Sequence, residues 1–481
     1  MSVALVVLGL ALAGALALPQ VARRDRCLTV AALLTPVLLL VHIADTSAFA
    51  SLVDRPPVLA AAAAGGMAAL AALAVLFVRV GTALPLAIVA ALPFRVPIAV
   101  GGSTANLLVP LYLVLGAGVL AYAWRRRRMS NEGLVRDDAP GWLERALAVV
   151  LVLYALQATY SDDVDQAIEN VVFFYAPFTL LFVLLSRAVD WTRRLTLQCL
   201  GVLVGMALLF AGIGFGEYAT RTLLLNPKVI SSNQFEDYFR VNSLFFDPNI
   251  YGRFLALVML GVTTVLLWTR RPRAVVAAAV VLAVLWAGLV LTFSQSSFTA
   301  LIVGLAVLAG LRWKAGLALG AVGALVAAAA AVVLLAPGAI NLNTDSGDGL
   351  DNATSGRYDL VAGGGRLASA RPLAGWGAGS FARTFRREEA ASEQQAASAS
   401  HTIPVTVAAE QGVPGLLAYL ALLAAAFARL ARGARRAPAR AFVLAAFAAL
   451  VVHTLLYAAF LEDPLTWALL AVGSALAARA P

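Results

Sequence analysis

The amino-acid sequence predicts an all-α, polytopic integral membrane protein with about 12–15 transmembrane helices and one large extracytoplasmic loop. Three observations carry that expectation. Of 481 residues, 61% are hydrophobic and 13% charged, and mean hydropathy is +0.86, a balance that excludes a soluble domain of this length. Apolar runs close to the ~20 residues needed to cross a hydrocarbon core recur almost end to end. Cations gather beside the ends of those runs instead of inside them.

The first region, residues 1–214, holds runs at 2–18, 28–44, 58–78, 83–100, 106–124, 141–159, 168–186 and 195–214. The opening run lacks a basic N-terminal flank and is followed by Arg23-Arg24-Asp25-Arg26, the reverse of secretory charge order, so it reads as a retained span. The run at 83–100 is interrupted by Pro93, Arg95 and Pro97. Residues 215–249 form a first extracytoplasmic loop. Runs at 250–269, 274–293, 298–311 and 315–336 make the central membrane region, 250–336. A polar segment, 337–402, is the large loop, and runs at 403–428, 441–460 and 465–479 close the chain within 403–481. Tracts such as Ala60 to Ala64 and Ala327 to Ala331 are packing surface, because small residues let helices approach closely in lipid.

The net charge of +10 does not describe a nucleic-acid face, because its cations are dispersed to span ends. The clusters are Arg23 to Arg26, Arg125 to Arg128, Arg187 with Arg193-Arg194, Arg270 to Arg273, Arg312 with Lys314, and Arg429 to Arg440, each after an odd-numbered span. Acidic connections, including Asp162-Asp163-Val164-Asp165, follow even ones. The positive-inside rule therefore places the N-terminus and the 337–402 loop outside the cytoplasm. Arg dominance over Lys and the Ala-rich spans point to a GC-rich bacterial genome and hence to a bacterial inner, or cytoplasmic, membrane. Cys27 and Cys199 fall near cytoplasmic helix ends, where a structural disulfide is not expected.

Three polar constellations interrupt this scaffold. The first, Arg240 to Arg253, contains Asp247-Pro248-Asn249, an N-cap arrangement before an apolar run, flanked by Arg240 and Arg253, whose guanidiniums suit bidentate grip on phosphate. The second is the turn Leu291-Thr292-Phe293-Ser294-Gln295-Ser296-Ser297, either a wet helix-helix turn or a lining for a glycan or headgroup. The third runs Thr354-Ser355-Gly356-Arg357-Tyr358, then Arg371 to Phe381 including Gly375-Trp376-Gly377-Ala378-Gly379-Ser380, then Ser400-His401-Thr402, and last Glu410-Gln411-Gly412-Val413-Pro414-Gly415. Alone, the histidine reads as a satisfied polar side chain and the glycines as a flexible turn; their order and spacing change that reading.

With those residues in place, the chain resembles the superfamily of O-antigen ligases and O-antigen polymerases, membrane glycosyltransferases that use polyprenyl-diphosphate-linked glycans. The resemblance covers Arg240 through Gly415. It implies that Arg357 contacts the donor diphosphate and that His401 acts on the acceptor. Arg240, Arg253, Arg371, Asn249, Gln295 and Glu410 are the substrate-binding candidates. Two positions depart from the family pattern: Gln295 stands where an arginine is usual, and Thr402 where an asparagine usually follows the histidine. Arg240, Arg253 or Arg371 is then the substitute for the missing cation.

Displacing diphosphate from an anomeric carbon develops negative charge on the bridging oxygen, which fixed guanidiniums stabilise without a metal. An imidazole of ordinary pKa near 6.5 suits removal of the acceptor proton. The expectation is an inverting, metal-independent, ligase-like transfer with no cofactor, from a polyprenyl-diphosphate-linked glycan to a glycan, lipid or protein acceptor within membrane lipid. Asp345, Asp348 and Asp351 lack EF-hand spacing and read as solvated loop charges. A repeat-unit polymerase of the same superfamily is the alternative. A lipid-linked glycan transporter, which would place its charges in broken helices at mid-membrane, is the reading from another class. His453 and Glu462 rank as supporting groups.

Overall fold

The computed structural model describes residues 2–44, 53–100, 103–128, 139–225, 239–313, 316, 357–389, 402–457 and 459–478. Sixteen helices carry the described chain: α1 Ser2–Ala17, α2 Val21–Ala44, α3 Pro56–Arg79, α4 Ala83–Ala91, α5 Val109–Arg128, α6 Trp142–Gln157, α7 Val164–Ala188, α8 Arg193–Thr220, α9 Pro248–Trp268, α10 Pro272–Val290, α11 Gln295–Arg312, α12 Arg357–Ala370, α13 Phe381–Glu388, α14 Ile403–Ala431, α15 Pro438–Leu456 and α16 Pro464–Ala477. Ten are long and apolar enough to cross a membrane. The all-α, multi-pass expectation holds.

One predicted span changes form. The run at 83–100 is helical only over α4; the chain then passes Pro93 and Arg95 into a hairpin, β1 Val96–Val100 paired antiparallel with β2 Ser103–Leu107, with Val96 opposite Leu107. Proline explains the break, since it lacks the N–H that would continue the helical ladder and disfavours helix in the residue before it. Of the run at 315–336, only residue 316 is among the described residues.

Two sets of polar contacts tie opposite helix ends together. At one end, Arg125 donates to Phe77 O and Val78 O, Arg126 pairs with Asp25 at 2.9 Å, Arg187 donates to Ala15 O and Leu16 O, and Arg312 donates to Leu267 O. These are the clusters that the charge pattern assigns to one side. At the other end, His42 meets Glu169, Arg387 meets Asp162 and Arg253 meets Asp463. Between them lie two large apolar cores, one built on α1, α6, α7, α14 and α16, the other on α8, α9, α11 and α15. A third, small core of Leu360, Leu367, Trp376, Phe381, Phe385 and Ala409 seats α12 and α13 on the start of α14.

Candidate functional site

The Gly-rich motif and the Glu-Gln-Gly-Val-Pro-Gly motif turn out to hold one another. Trp376 N donates to Ala409 O, Gly377 N to Glu410 O, and Val413 N to Pro372 O. The Glu410 carboxylate accepts from Gly379 N at 2.9 Å and Phe381 N at 3.0 Å, so both oxygens are taken by backbone. Gly377 has φ +94, and a Cβ there would come within 2.2 Å of Ser161 Cα, which explains glycine at that position. Gly412, at φ +64, breaks the helical path inside α14 and faces Pro372 O. Ser161 Oγ donates to Ala378 O and Asp162 N donates to Trp376 O, which fastens the α6–α7 connection to the same loop. Arg371 lies 3.7 Å over the Trp376 ring on the exposed side. This ensemble is a latch in which the Glu410 carboxylate and the amides of Trp376, Gly377, Gly379 and Phe381 find partners within the chain.

A different arrangement surrounds Arg253. Asp247 caps α9 by accepting from Asn249 N at 2.6 Å, and Pro248 occupies the first turn, so the helix starts where Asn249 and Arg253 face one side. Asp463 caps α16 through Oδ1, accepting from Leu465 N at 2.7 Å, and turns Oδ2 to the Arg253 guanidinium. Arg253 and Asp463 are each 1% exposed. One carboxylate oxygen does not satisfy a five-donor guanidinium. Arg253 Nε and Nη1 are buried with no hydrogen-bond partner. Arg95, half-buried in the turn after α4, lies in electrostatic range of Arg253, Asp463, Tyr112 and Tyr457, while the Tyr457 hydroxyl bonds Asp247.

Beside it, Arg240 Nε donates to Thr292 O at 3.0 Å and Nη2 to Asn249 Oδ1 at 3.3 Å. Ser297 Oγ donates to Asn249 O, and the fully buried His453 meets Ser296 Oγ at 3.2 Å and Ser297 Oγ at 3.5 Å. Arg240, Asn249 and the 291–297 turn are thus one network next to Arg253. Gln295 is on that turn but exposed. Among the described residues, three arginines stand against Asp247 and Asp463.

The latch and the arginine cluster adjoin through Glu462-Asp463. Glu462 Oε1 accepts from Tyr175 at 2.8 Å, burial pushes its carboxyl above the usual range, and it lies in electrostatic range of Glu410.

The two residues expected to be catalytic are placed less fully. His401 lies outside the described residues, as do Asp345, Asp348 and Asp351. Its neighbour Thr402 donates from Oγ1 to Leu455 O at 3.1 Å, beside the end of α15 that carries His453 and Tyr457. Arg357 is the first residue of α12. Arg371 and Glu410 belong to the latch, not to the network of Arg240, Asn249 and Arg253.

Three members of the arginine cluster escape sequence reading: Arg95, Asp463 and Tyr457. Arg95 did carry a signal, a cation between two prolines inside an apolar run, which is costly in a membrane unless it serves a purpose. Tyr457 carried none.

Residues 280–420 match the family model described as O-antigen ligase. The matched stretch takes in the 291–297 turn, α12, the Gly-rich motif and the kink of α14, so it is similar to that family where the sequence resemblance is densest. The match supports a membrane glycosyltransferase-like function in a multi-pass membrane protein. No curated protein matches the chain.

Proposed function

We propose that the protein transfers a glycan from a polyprenyl-diphosphate carrier to an acceptor hydroxyl on the extracytoplasmic side of a bacterial inner membrane. The observation that carries this reading is the buried Arg253 guanidinium with two N–H groups lacking partners, set beside Arg95 and Arg240. A diphosphate supplies the anionic oxygens such a group needs, and burial strengthens the interaction.

In this reading the acceptor oxygen attacks the anomeric carbon and forms the new C–O bond as the bond to the diphosphate breaks. The electron pair leaves on the diphosphate, held by Arg253 and Arg95 with Arg240 fixing Asn249 beside them. The acceptor proton passes to the His401 imidazole. Thr402 ties the neighbouring backbone to the end of α15, which favours His401 working close to Tyr457. Arg357 is assigned to the donor diphosphate from the side of α12. Direct attack inverts the anomeric configuration and uses no metal. Arg371 and Gln295, both exposed, are assigned to the glycan. Glu410 acts by holding the Gly-rich loop.

The test is purification with lipid-linked oligosaccharide, addition of candidate acceptors, and mass analysis of products. Wild type should yield glycosylated acceptor and free carrier diphosphate, with an inverted linkage by NMR, and His401→Ala should yield neither. Equal turnover by His401→Ala, or a retained linkage, would overturn the proposal.

A further inference from the structure

His453 stands in a mostly apolar stretch of α15, Val451 to Leu456, where a titratable side chain is costly unless it serves a purpose. It is fully buried, so it meets no substrate directly. Its Nε2 lies 3.2 Å from Ser296 Oγ and 3.5 Å from Ser297 Oγ, both in the first turn of α11. Ser297 Oγ also meets Ser294 Oγ at 2.8 Å and donates its one proton to Asn249 O at 3.2 Å. With that proton spent, Ser294 and His453 serve as donors to Ser297 Oγ, which requires a proton on His453 Nε2.

The receiving carbonyl belongs to the first turn of α9. Asn249 O is the helical acceptor for the amide of Arg253, so a group that holds it holds the turn from which the Arg253 guanidinium projects. The approach is close: a Cβ on Gly252 would stand 2.7 Å from Ser297 Oγ and 3.1 Å from Thr292 Oγ1. The same end of α15 reaches the start of α9 a second time. The Tyr457 ring lies edge-on to His453 at 5.6 Å, and its hydroxyl bonds Asp247, the cap of α9. We propose that His453 is a positioning residue for the donor site, holding α9 through Ser296 and Ser297 at the setting in which Arg253 takes a diphosphate. The role rests on Arg253 being the diphosphate-binding group.

The probe is a sugar-free polyprenyl diphosphate titrated into the full chain in neutral detergent, with the unfolding temperature of each variant recorded. His453→Leu should bind it about tenfold more weakly than wild type, the ordinary worth of one buried hydrogen bond. His453→Gln, which returns an N–H at similar reach, should recover most of that loss. Ser297→Ala should weaken binding to a like extent, and adding it to His453→Leu should change little more, because both act through one path. If His453→Leu does not fold, Ser297→Ala carries the test: a loss of about tenfold supports the role and wild-type affinity overturns it. Losses that multiply in the double variant, no recovery in His453→Gln, or wild-type affinity in a folded His453→Leu overturn the role of His453 alone. Absence of binding by wild type overturns it together with the reading of Arg253.

Discussion

Glu410 and Arg253 are both buried charges next to a helix end, and both read from sequence as substrate-binding, yet the structure treats them oppositely. Glu410 spends its two oxygens on Gly379 and Phe381 amides. Arg253 meets one aspartate and keeps two N–H groups without partners. A buried charge whose hydrogen-bonding capacity is filled from the chain stabilises a shape; one with capacity left over is positioned to take a ligand. Satisfaction, more than charge or burial, separates the latch from the site.

The largest expected effect breaks the comparison on the Arg253 side. Arg253→Lys keeps a cation opposite Asp463 but loses the fork, and turnover should fall about 10²–10³-fold with the unfolding temperature little changed. Activity near wild type would make Arg253 another latch. Glu410→Ala should do the reverse and destabilise the fold by about 2–4 kcal/mol, because two buried amides lose their acceptor. Gly377→Ala sharpens the same side: with φ +94 and Ser161 Cα 2.2 Å from the added carbon, it should cost about 1–3 kcal/mol and loosen the α6–α7 connection. Proteolysis of the 357–389 region would report both. Arg95→Gln should lower turnover by about tenfold without affecting the latch.

The smallest effect concerns an exposed charge. Arg366 holds the Glu389 carboxyl below its usual range through hydrogen bonds of 3.0 and 2.5 Å. A depressed carboxylate contributes stability above its ordinary pKa and loses it as pH falls through the folded value. Exposure and screening limit the pair to about 0.5 kcal/mol, so Arg366→Gln should barely move unfolding near pH 7 and should flatten the acid limb slightly.

Much of the fold was legible because apolar length and flanking cations are local properties: the runs at 141–159, 195–214 and 441–460 correspond to α6, α8 and α15. The run at 83–100 misled because hydropathy averages over Pro93 and Pro97, which end the helix regardless of apolar neighbours. That Arg240 and Asn249 meet was readable because Arg240 lies just upstream of the helix start that holds Asn249 and Arg253. Asp463 was not, since the same aspartate that caps α16 also faces Arg253, a pairing across 210 residues of sequence that only packing creates. Glu410 was assigned to substrate because sequence shows a charge beside glycines but not the amides that consume it.

The most direct measurement is the affinity of purified wild type and Arg253→Lys for a polyprenyl diphosphate, each checked for an unchanged unfolding temperature. Binding at least about tenfold weaker in the variant is expected if the unsatisfied guanidinium grips the diphosphate. Equal affinity in two equally folded proteins would contradict it.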